Sequence, residues 1–162
     1  MLDTYLTTPI GTLKIIGTNT HVENIIFYKD PLGNSKDLYQ RNVFPYPILE
    51  QINEYFAGQR DSFDLTISTT GSPFQRKVWS TLKSIPYGKT ASYTDIALKI
   101  GRLKAVRSVA TAIGKNPLPI VIPCHRVVGK NGTLNGYSGG LEIKQFLLNH
   151  EKINPNVANS FP

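Results

Sequence analysis

Residues 92–114, SYTDIALKIGRLKAVRSVATAIG, have the features of two short helices joined by a tight turn. Ser92 and Asp95 have capping-box spacing, with Asp in place of Glu or Gln, and Gly101 ends the first helix. The second helix ends at Gly114 and has one apolar face: Val106, Val109, Ala110 and Ile113. This pattern predicts a helix-turn-helix, although any helical hairpin shares it.

Positive charge is concentrated in the same part of the chain. The 162 residues carry a net charge of +7. Residues 1–72 contain five Lys and Arg against eight Asp and Glu, whereas residues 73–162 contain thirteen against three. Four cations surround the second predicted helix: Arg102, Lys104, Arg107 and Lys115. Because clustered cations bind phosphates with release of counterions, the second half is predicted to bind DNA, with a merely soluble basic surface as the alternative.

The first half has a different pattern. Residues 12–18, TLKIIGT, and 22–28, VENIIFY, predict two strands flanking a turn. Residues 63–69, FDLTIST, alternate like a third strand. Residues 46–58, YPILEQINEYFAG, predict an amphipathic helix that ends at Gly58. These elements together predict a small α/β module.

The two halves meet at residues 68–72, STTGS, a natural linker. Beyond it, Ser72 and Pro73 supply an N-cap and a first-turn proline. The helix that follows has apolar residues at helical spacing: Phe74, Val78, Leu82 and Ile85. A last helix is predicted from about Leu141 to Glu151. We therefore expect an α/β domain at 1–68, a mainly helical DNA-binding domain at 69–153 and a flexible tail at 154–162.

The only cysteine, Cys124, lies within VIPCHRVVGK at residues 121–130. A lone cysteine is most often a small buried hydrophobic residue. Here His125 and Arg126 follow it directly, and both would stabilise a thiolate, which is the attacking species in cysteine chemistry. Because adjacent residues of an extended segment point to opposite sides, His125 would act through a bridging water or a bent backbone.

Composition limits where in the cell the protein is expected and which kinds of site it can contain. One cysteine cannot form an internal disulfide, and one thiol with three histidines makes no thiolate-rich metal cage. The N-terminal MLDTYLTTPIG has no basic region followed by an apolar run, and no apolar stretch approaches the length of a membrane span. We therefore expect a cytoplasmic protein with no bound metal and no membrane partner.

Four stretches of the second half, spread over about eighty residues, follow one another in uninterrupted order. They are FQRKVWSTLKSIPYGKTASYTDIA (74–97), AVRSVATAIGKNPLPIVIPCHR (105–126), PCHRVVGKNGTLNGYSGG (123–140) and KQFLLNHE (144–151). Together they resemble the O6-alkylguanine-DNA alkyltransferases, the methylated-DNA-protein-cysteine methyltransferases of direct DNA repair. Residues 1–68 match this family only loosely.

The resemblance implies a single-turnover repair reaction. A flipped O6-alkylguanine, with O4-alkylthymine as a further candidate, enters a pocket beside Cys124, and the sulfur keeps the alkyl group as a thioether. It implies no cofactor, lesion-containing double-stranded DNA as partner, a monomer whose cooperativity on DNA stays open, and association with the nucleoid during repair. The implied fold is a small N-terminal ribonuclease-H-like α/β domain followed by a mainly helical domain with a helix-turn-helix and an active-site loop.

The resemblance assigns five residues to the reaction. Cys124 is the nucleophile, His125 its base through a water, and Glu151 the carboxylate that orients this histidine. Guanine leaves poorly as an anion, so Tyr93 is assigned as the acid that assists its departure. Asn116 is assigned to tie the turn to the active-site strand, although an ordinary Asn-Pro turn would also explain it.

Eight further residues are assigned to substrate or DNA: Arg107, Ala105, Ala110, Arg126, Val127, Tyr137, Ser138 and Gly139. Arg107 resembles an arginine finger that fills the gap left by the flipped base, with a plain phosphate contact as the alternative. Ala105 and Ala110 are small enough for a helix lying close to a minor groove, or are core residues. Tyr137 would line the base pocket, where the Val127 carbonyl and the Ser138 amide would meet the guanine.

Two other classes fit parts of the sequence. A cysteine hydrolase also needs Cys, His and an acid, but it leaves the basic helical pair unexplained. A helix-turn-helix regulator without enzymatic activity explains the charge but not PCHRV, and it would bind one duplex sequence regardless of alkylation. Within the family, Cys124 separates the chain from alkyltransferase-like proteins with tryptophan at this position. The cysteine-free N-terminal half predicts that the zinc site of some relatives is absent.

Overall fold

The computed structural model describes residues 1–28 and 47–152. The chain divides into two compact units, Met1–Thr69 and Thr70–Pro162. Within the described ranges, none of the helices is both long enough and apolar enough to cross a bilayer. The tail predicted at 154–162 falls outside the described residues.

The first unit contains a three-stranded antiparallel sheet and one helix. Its elements are β1 (Leu2–Thr8), β2 (Gly11–Gly17), β3 (Val22–Tyr28) and α1 (Pro47–Phe56). The central strand β2 pairs with both neighbours, and its Leu13 and Ile15 are fully buried on one face. The strands predicted at 12–18 and 22–28 are therefore confirmed, and so is the helix ending before Gly58.

Sequence patterns misjudge two segments of this unit. They do not predict β1, because the one buried position in that strand is the polar Thr4 and its apolar alternation is weak. They predict a strand at 63–69, which is wrong: among the residues that the structure describes, this segment makes a single bridge, between Ile67 and Val22. Its side chains alternate in exposure because the backbone is extended, yet it forms no ladder with the described strands.

The second unit is mainly helical. Its elements are α2 (Pro73–Leu82), β4 (Ala91–Ser92), α3 (Tyr93–Lys99), α4 (Val106–Gly114), β5 (Val127–Val128) and α5 (Leu141–Lys152). Short 3₁₀ turns lie at Leu103–Ala105, Cys124–Arg126 and Lys130–Gly132. The structure is thus a mixed α/β protein with a small antiparallel sheet and several helices, as the sequence predicts at this level.

Local signals set the boundaries of these helices. Ser72 caps α2 through a complete capping box with Gln75, and Ser92 caps α3 through one with Asp95. Both predicted starts are confirmed, and α4 and α5 also lie where the apolar spacing predicts them. Helix boundaries are well predicted here because the capping partners are three residues apart in the chain.

A short parallel pair brings two distant segments together. Ala91 of β4 pairs with Val127 of β5, and Ser92 pairs with Val128. Because α3 begins immediately after β4, this pairing places Tyr93 beside the segment that follows Cys124.

Candidate active site

The segment before Cys124 is buried and unusually shaped. Ile120 has φ +75°, a backbone conformation that is strained for a β-branched residue. Asn116 bonds the segment at two points: its Nδ2 donates to the Ile122 carbonyl at 2.8 Å, and its Oδ1 accepts from the Leu118 amide at 3.0 Å. Asn116 therefore holds the chain that leads into Cys124.

Behind the cysteine lies a buried histidine-carboxylate pair. His125 Nε2 and Glu151 Oε1 are 2.6 Å apart, and both side chains are within the core. Because an ionised carboxylate only accepts hydrogen bonds, Nε2 carries the proton and Nδ1 keeps a free lone pair. Nδ1 is buried and has no hydrogen-bond partner in the described part of the chain. His125 thus has the arrangement of a base held in one tautomer.

Arg126 occupies a different place from the one predicted. Its Nε donates to Glu151 Oε2 at 2.9 Å and its Nη2 to Oε1 at 3.0 Å, a bidentate pair, while Nη1 donates to the Ile85 carbonyl at 2.7 Å. The residue is 6% exposed. The expected contact with substrate or DNA is therefore wrong, because all three nitrogens of the guanidinium donate hydrogen bonds to acceptors inside the protein. Arg126 lies two residues after Cys124 in the sequence, but its partner in space is Glu151.

A third donor reaches Glu151 from the turn after α2. The Gly88 amide donates to Oε2 at 3.2 Å. Gly88 has φ +73°, and a Cβ there would lie 3.2 Å from the Glu151 carbonyl oxygen. Glycine is therefore required for this close approach of the turn to α5.

The buried charges set the protonation states. Burial alone would raise the pKa of Glu151, but the charges and hydrogen bonds of His125 and Arg126 outweigh it and hold the pKa well below its usual range. Burial lowers the pKa of His125, although Glu151 opposes this shift. Glu151 is thus ionised and His125 neutral near pH 7, which is the state that can accept a proton.

Cys124 is buried, with 4% of the residue exposed. Burial raises its pKa, while a hydrogen bond from Asn116, the charge of Lys144 and a hydrogen bond from Tyr137 each lower it. Because burial is the largest of these influences, the resting sulfur carries its proton. Reaction as a nucleophile then requires a base, and His125 is adjacent in the chain.

Cys124 also lines a cavity of about 660 Å³ within the second unit. Five other predicted residues line it with the cysteine: Tyr93, Arg107, Ala110, Tyr137 and Ser138. Besides Arg126, three residues predicted to contact substrate or DNA do not belong to this lining: Ala105, in the 3₁₀ turn before α4, Val127, fully buried in β5, and Gly139, next to Ser138. Asn116, His125 and Glu151, predicted for the reaction, also lie outside it. The structure thus brings together residues from α3, α4 and two loops around one sulfur.

Two phenols in the wall remain proton donors. Burial, and then the charge of Cys124, raise the pKa of Tyr93. Burial raises the pKa of Tyr137 well above its ordinary value, and Cys124 adds to the shift. Both phenols therefore keep their protons near pH 7 and can donate to a negative oxygen in the cavity.

Sequence reasoning missed Lys144, which is 1% exposed. The buried positions of α5 are Lys144, Leu147, Leu148 and Glu151, the spacing of one helix face. The sequence did contain a sign that Lys144 is buried: it lies on the same helix face as two leucines and the candidate catalytic acid Glu151. In the described ranges, no group of three His, Cys, Asp or Glu side chains can hold a metal ion.

Comparisons with known proteins identify the family. Residues 73–153 match the family model "6-O-methylguanine DNA methyltransferase, DNA binding domain". The constitutive methylated-DNA-protein-cysteine methyltransferase of Bacillus subtilis is 44% identical over 154 residues, 90% of this chain and 92% of that protein. A probable methylated-DNA-protein-cysteine methyltransferase of Acanthamoeba polyphaga mimivirus is 46% identical over 91% of this chain and 94% of its own length.

Solved structures agree. The crystal structure of the Mycobacterium tuberculosis O6-methylguanine methyltransferase superposes with a TM-score of 0.85 at 36% identity, covering 97% of this chain and 96% of that one. The structure of Mycobacterium tuberculosis OGT in complex with DNA also gives 0.85, at 37% identity over 94% of this chain and 93% of its own. This chain therefore belongs to the methylated-DNA-protein-cysteine methyltransferase family.

Proposed function

We propose that this protein repairs DNA by transferring the alkyl group of O6-alkylguanine to Cys124, once per molecule. The observation that carries the proposal is the position of Cys124, which lines a cavity on one side and adjoins a buried His125–Glu151 pair on the other. A nucleophile, a base and an orienting carboxylate in this order are the components of covalent catalysis.

The cavity suits a base taken out of the duplex. The atom to be attacked is hidden in stacked DNA, so the nucleotide must be extruded before the thiol can reach it. We propose that α3 and α4 form the helix-turn-helix that brings DNA to the cavity. In support, α4 contributes Arg107 and Ala110 to its wall, and the sequence around α4 is basic.

The protons and electrons of the chemical step balance among the substrate, Cys124, His125 and Tyr93. His125 Nδ1 takes the thiol proton, directly or through a water, and the sulfur attacks the alkyl carbon as the bond from that carbon to O6 breaks. The electron pair stays on the guanine, which is protonated by the Tyr93 phenol, with the Ser138 amide as a second donor to the oxygen. His125 returns a proton to the phenolate, so that a thioether and an unmodified guanine result.

The thioether ends the activity of the molecule. Cys124 is the only cysteine of the chain, so no second thiol can take over the alkyl group. A cysteine hydrolase would instead regenerate its thiol and turn over. The protein would therefore act in stoichiometric amounts.

We extend the proposal to the rest of the chain. The sheet β1–β3 followed by α1 supports a ribonuclease-H-like N-terminal domain over 1–68, with the DNA-binding and alkyl-transfer domain over 69–153. Because the substrate is DNA, we propose a cytoplasmic protein that associates with the nucleoid while it acts, as a monomer.

Intact mass spectrometry tests the reaction. The protein is incubated with a duplex carrying one O6-methylguanine, beside a Cys124→Ser variant. We expect the native chain to gain one methylene, mapped to the peptide that contains Cys124, and the variant to gain nothing. Lesion binding without a mass gain would contradict transfer, and repeated turnover of an ester substrate would favour the hydrolase.

A second experiment tests the position of Arg107, which is exposed on α4 and lines the cavity. Arg107→Ala should slow transfer from a paired duplex more than from a single strand if the side chain fills the space of the flipped base. Lys77→Ala, on the exposed face of α2, is the matched control. Equal losses on both substrates would mean that Arg107 only contacts phosphate.

A further inference from the structure

Lys144 is buried without the partner that a buried cation usually has. It is 1% exposed, and none of the ion pairs in the described ranges includes it. Transfer of an ammonium group into a protein core is costly unless charge or hydrogen bonding compensates. Its hydrogen-bond acceptor is a neutral carbonyl. We therefore expect an anion that forms near Lys144 to compensate the charge of its ammonium group.

The surroundings of the ammonium point to the cavity. Nζ donates to the Asn135 carbonyl at 3.0 Å and lies 5.9 Å from the centre of the Tyr93 ring. Asn135 and Tyr93 both line the cavity together with Cys124. The charge of Lys144 is thus fixed between two wall residues, on the side of the cavity formed by the loop of residues 133–140, here named the pocket loop.

The charges of Lys144 and Cys124 act on each other. Although burial is the larger influence on both groups, the lysine lowers the pKa of the thiol and the thiolate raises the pKa of the lysine. The phenols of Tyr93 and Tyr137 line the same cavity as the sulfur and are neutral near pH 7, and His125, also neutral, adjoins the cysteine in the chain. Arg107 lines the cavity too, but it is exposed to water, and Arg126 is paired with Glu151. Lys144 is therefore the buried cation beside the cavity that has no carboxylate partner in the described ranges.

One effect of Lys144 acts in the opposite direction. Its charge also disfavours protonation of His125, which must receive the thiol proton. Glu151 opposes this repulsion, because it lies 2.6 Å from the imidazole and is ionised. Among the cations near the sulfur, Lys144 has the stronger influence, because Arg107, which lines the cavity, is exposed and water screens its charge.

We propose that Lys144 is a positioning residue that serves as the counter-ion of the Cys124 thiolate and anchors the pocket loop through Asn135. This inference deepens the proposed function and rests on it for its biological meaning. It assigns to α5 two contributions to the site: Glu151 orients the base, and Lys144, seven residues earlier on the same face, stabilises the charge that forms on the nucleophile.

Two substitutions separate the two roles of Lys144. Lys144→Gln removes the charge but keeps an N–H that can donate to the Asn135 carbonyl, whereas Lys144→Met removes both. Lys77→Gln is the matched control, because it removes an exposed cation of the same unit. Thermal unfolding of each variant checks that it is folded.

The readout is the rate of thiol alkylation by iodoacetamide as a function of pH, which needs no DNA and involves one thiol in the whole chain. We expect the profiles of both Lys144 variants to move to higher pH. If the profile shifts upward by about one pH unit, alkylation near pH 7 becomes about tenfold slower, because the thiolate fraction of Cys124 falls by that factor. The Lys77→Gln profile should match the wild type. An unchanged Lys144→Gln profile would overturn the counter-ion role.

Two further measurements keep the proposal testable. Methyl transfer from an O6-methylguanine duplex should be slower in Lys144→Gln than in the wild type. If the wild type itself transfers no methyl group, the proposed function is wrong, but the pH profile of iodoacetamide alkylation still tests the role of Lys144. If neither Lys144 variant folds, NMR titration of the Lys144 ammonium in Cys124→Ser replaces them. The lysine should then titrate at lower pH than in the wild type, and an unchanged titration would overturn the inference.

Discussion

The two units of this protein bury polar groups of different kinds. Among the described residues of the first unit, the buried polar ones are Thr4 and Gln51, both neutral. Among those of the second unit they are Asn116, His125, Arg126, Lys144 and Glu151, of which four are ionisable. A buried ion network is weak evidence for stability, since hydrophobic replacements often fold as well. We therefore attribute the buried charges of the second unit to the chemistry of its site and not to stability.

Ion pairs show the same contrast. Arg60 and Glu54 of the first unit are 2.6 Å apart, but about a third of each side chain is exposed. Arg126 and Glu151 make a pair of similar length with side chains 7% and 1% exposed. Similar distances therefore conceal very different electrostatic environments.

Removal of one carboxylate from each pair should give the largest difference. Glu151→Ala leaves Arg126 buried without a partner, and we expect a loss of about 3–5 kcal/mol in unfolding free energy. Glu54→Ala in the first unit should cost less than about 1 kcal/mol, because water replaces the lost partner. Urea denaturation of both variants measures this difference, and equal losses would remove the contrast between the units.

Lowering the pH should destabilise the second unit less than Glu151→Ala does, because protonation leaves the side chains of His125 and Glu151 in place. His125 and Glu151 both have a lowered pKa in the folded state, so the unfolded chain binds more protons as the pH falls. The stability due to His125 is complete above about pH 6.5 and that due to Glu151 above about pH 4.3, and each is lost below. Denaturation at a series of pH values checks this, with Glu151→Gln expected to lack the lower step.

Gly88→Ala tests the contact between the turn and α5. Gly88 and Gly101 both have φ +73°, but an added Cβ meets the Glu151 carbonyl only at Gly88. Each substitution should cost about 1–2 kcal/mol from backbone strain. Gly88→Ala should lose more than this and should slow methyl transfer, whereas Gly101→Ala should not slow it. Identical results in both variants would show that the contact has no influence on Glu151.

The smallest effect on methyl transfer is expected from substitution of the neutral buried amide of the first unit. Gln51 donates to the Asp64 carbonyl and accepts from its amide, both at 2.9 Å. Because Asp64 is exposed, water can replace these bonds, and Gln51→Ala should cost about 1 kcal/mol. The rate of methyl transfer should be unchanged, and a slower rate would show that buried neutral groups also affect the site.

Sequence patterns succeeded where the determining contacts are local. The starts of α2 and α3 follow from capping residues three positions apart, and α5 follows from its apolar face. They failed for residues 63–69, because alternation reports which side chains are covered and not how many backbone bonds an extended segment makes.

The candidate site was harder to predict in detail. A lone cysteine followed by histidine indicates chemistry, but sequence adjacency misleads for Arg126, whose side chain is directed to Glu151. The sequence analysis missed Lys144 for another reason, which is that a lysine in a helix is normally exposed. Only the long-range packing of α5 against the turn at Cys124–Arg126 reveals which charges meet.

The chain's single tryptophan gives the second unit an optical reporter. Trp79 of α2 is 3% exposed, and its indole N–H donates to the Ala112 carbonyl of α4 at 2.8 Å. Indole emission shifts when the ring meets water or loses such a bond. Because no other tryptophan contributes, unlabelled protein mixed rapidly with DNA would show by its fluorescence when, and how fast, α4 is displaced.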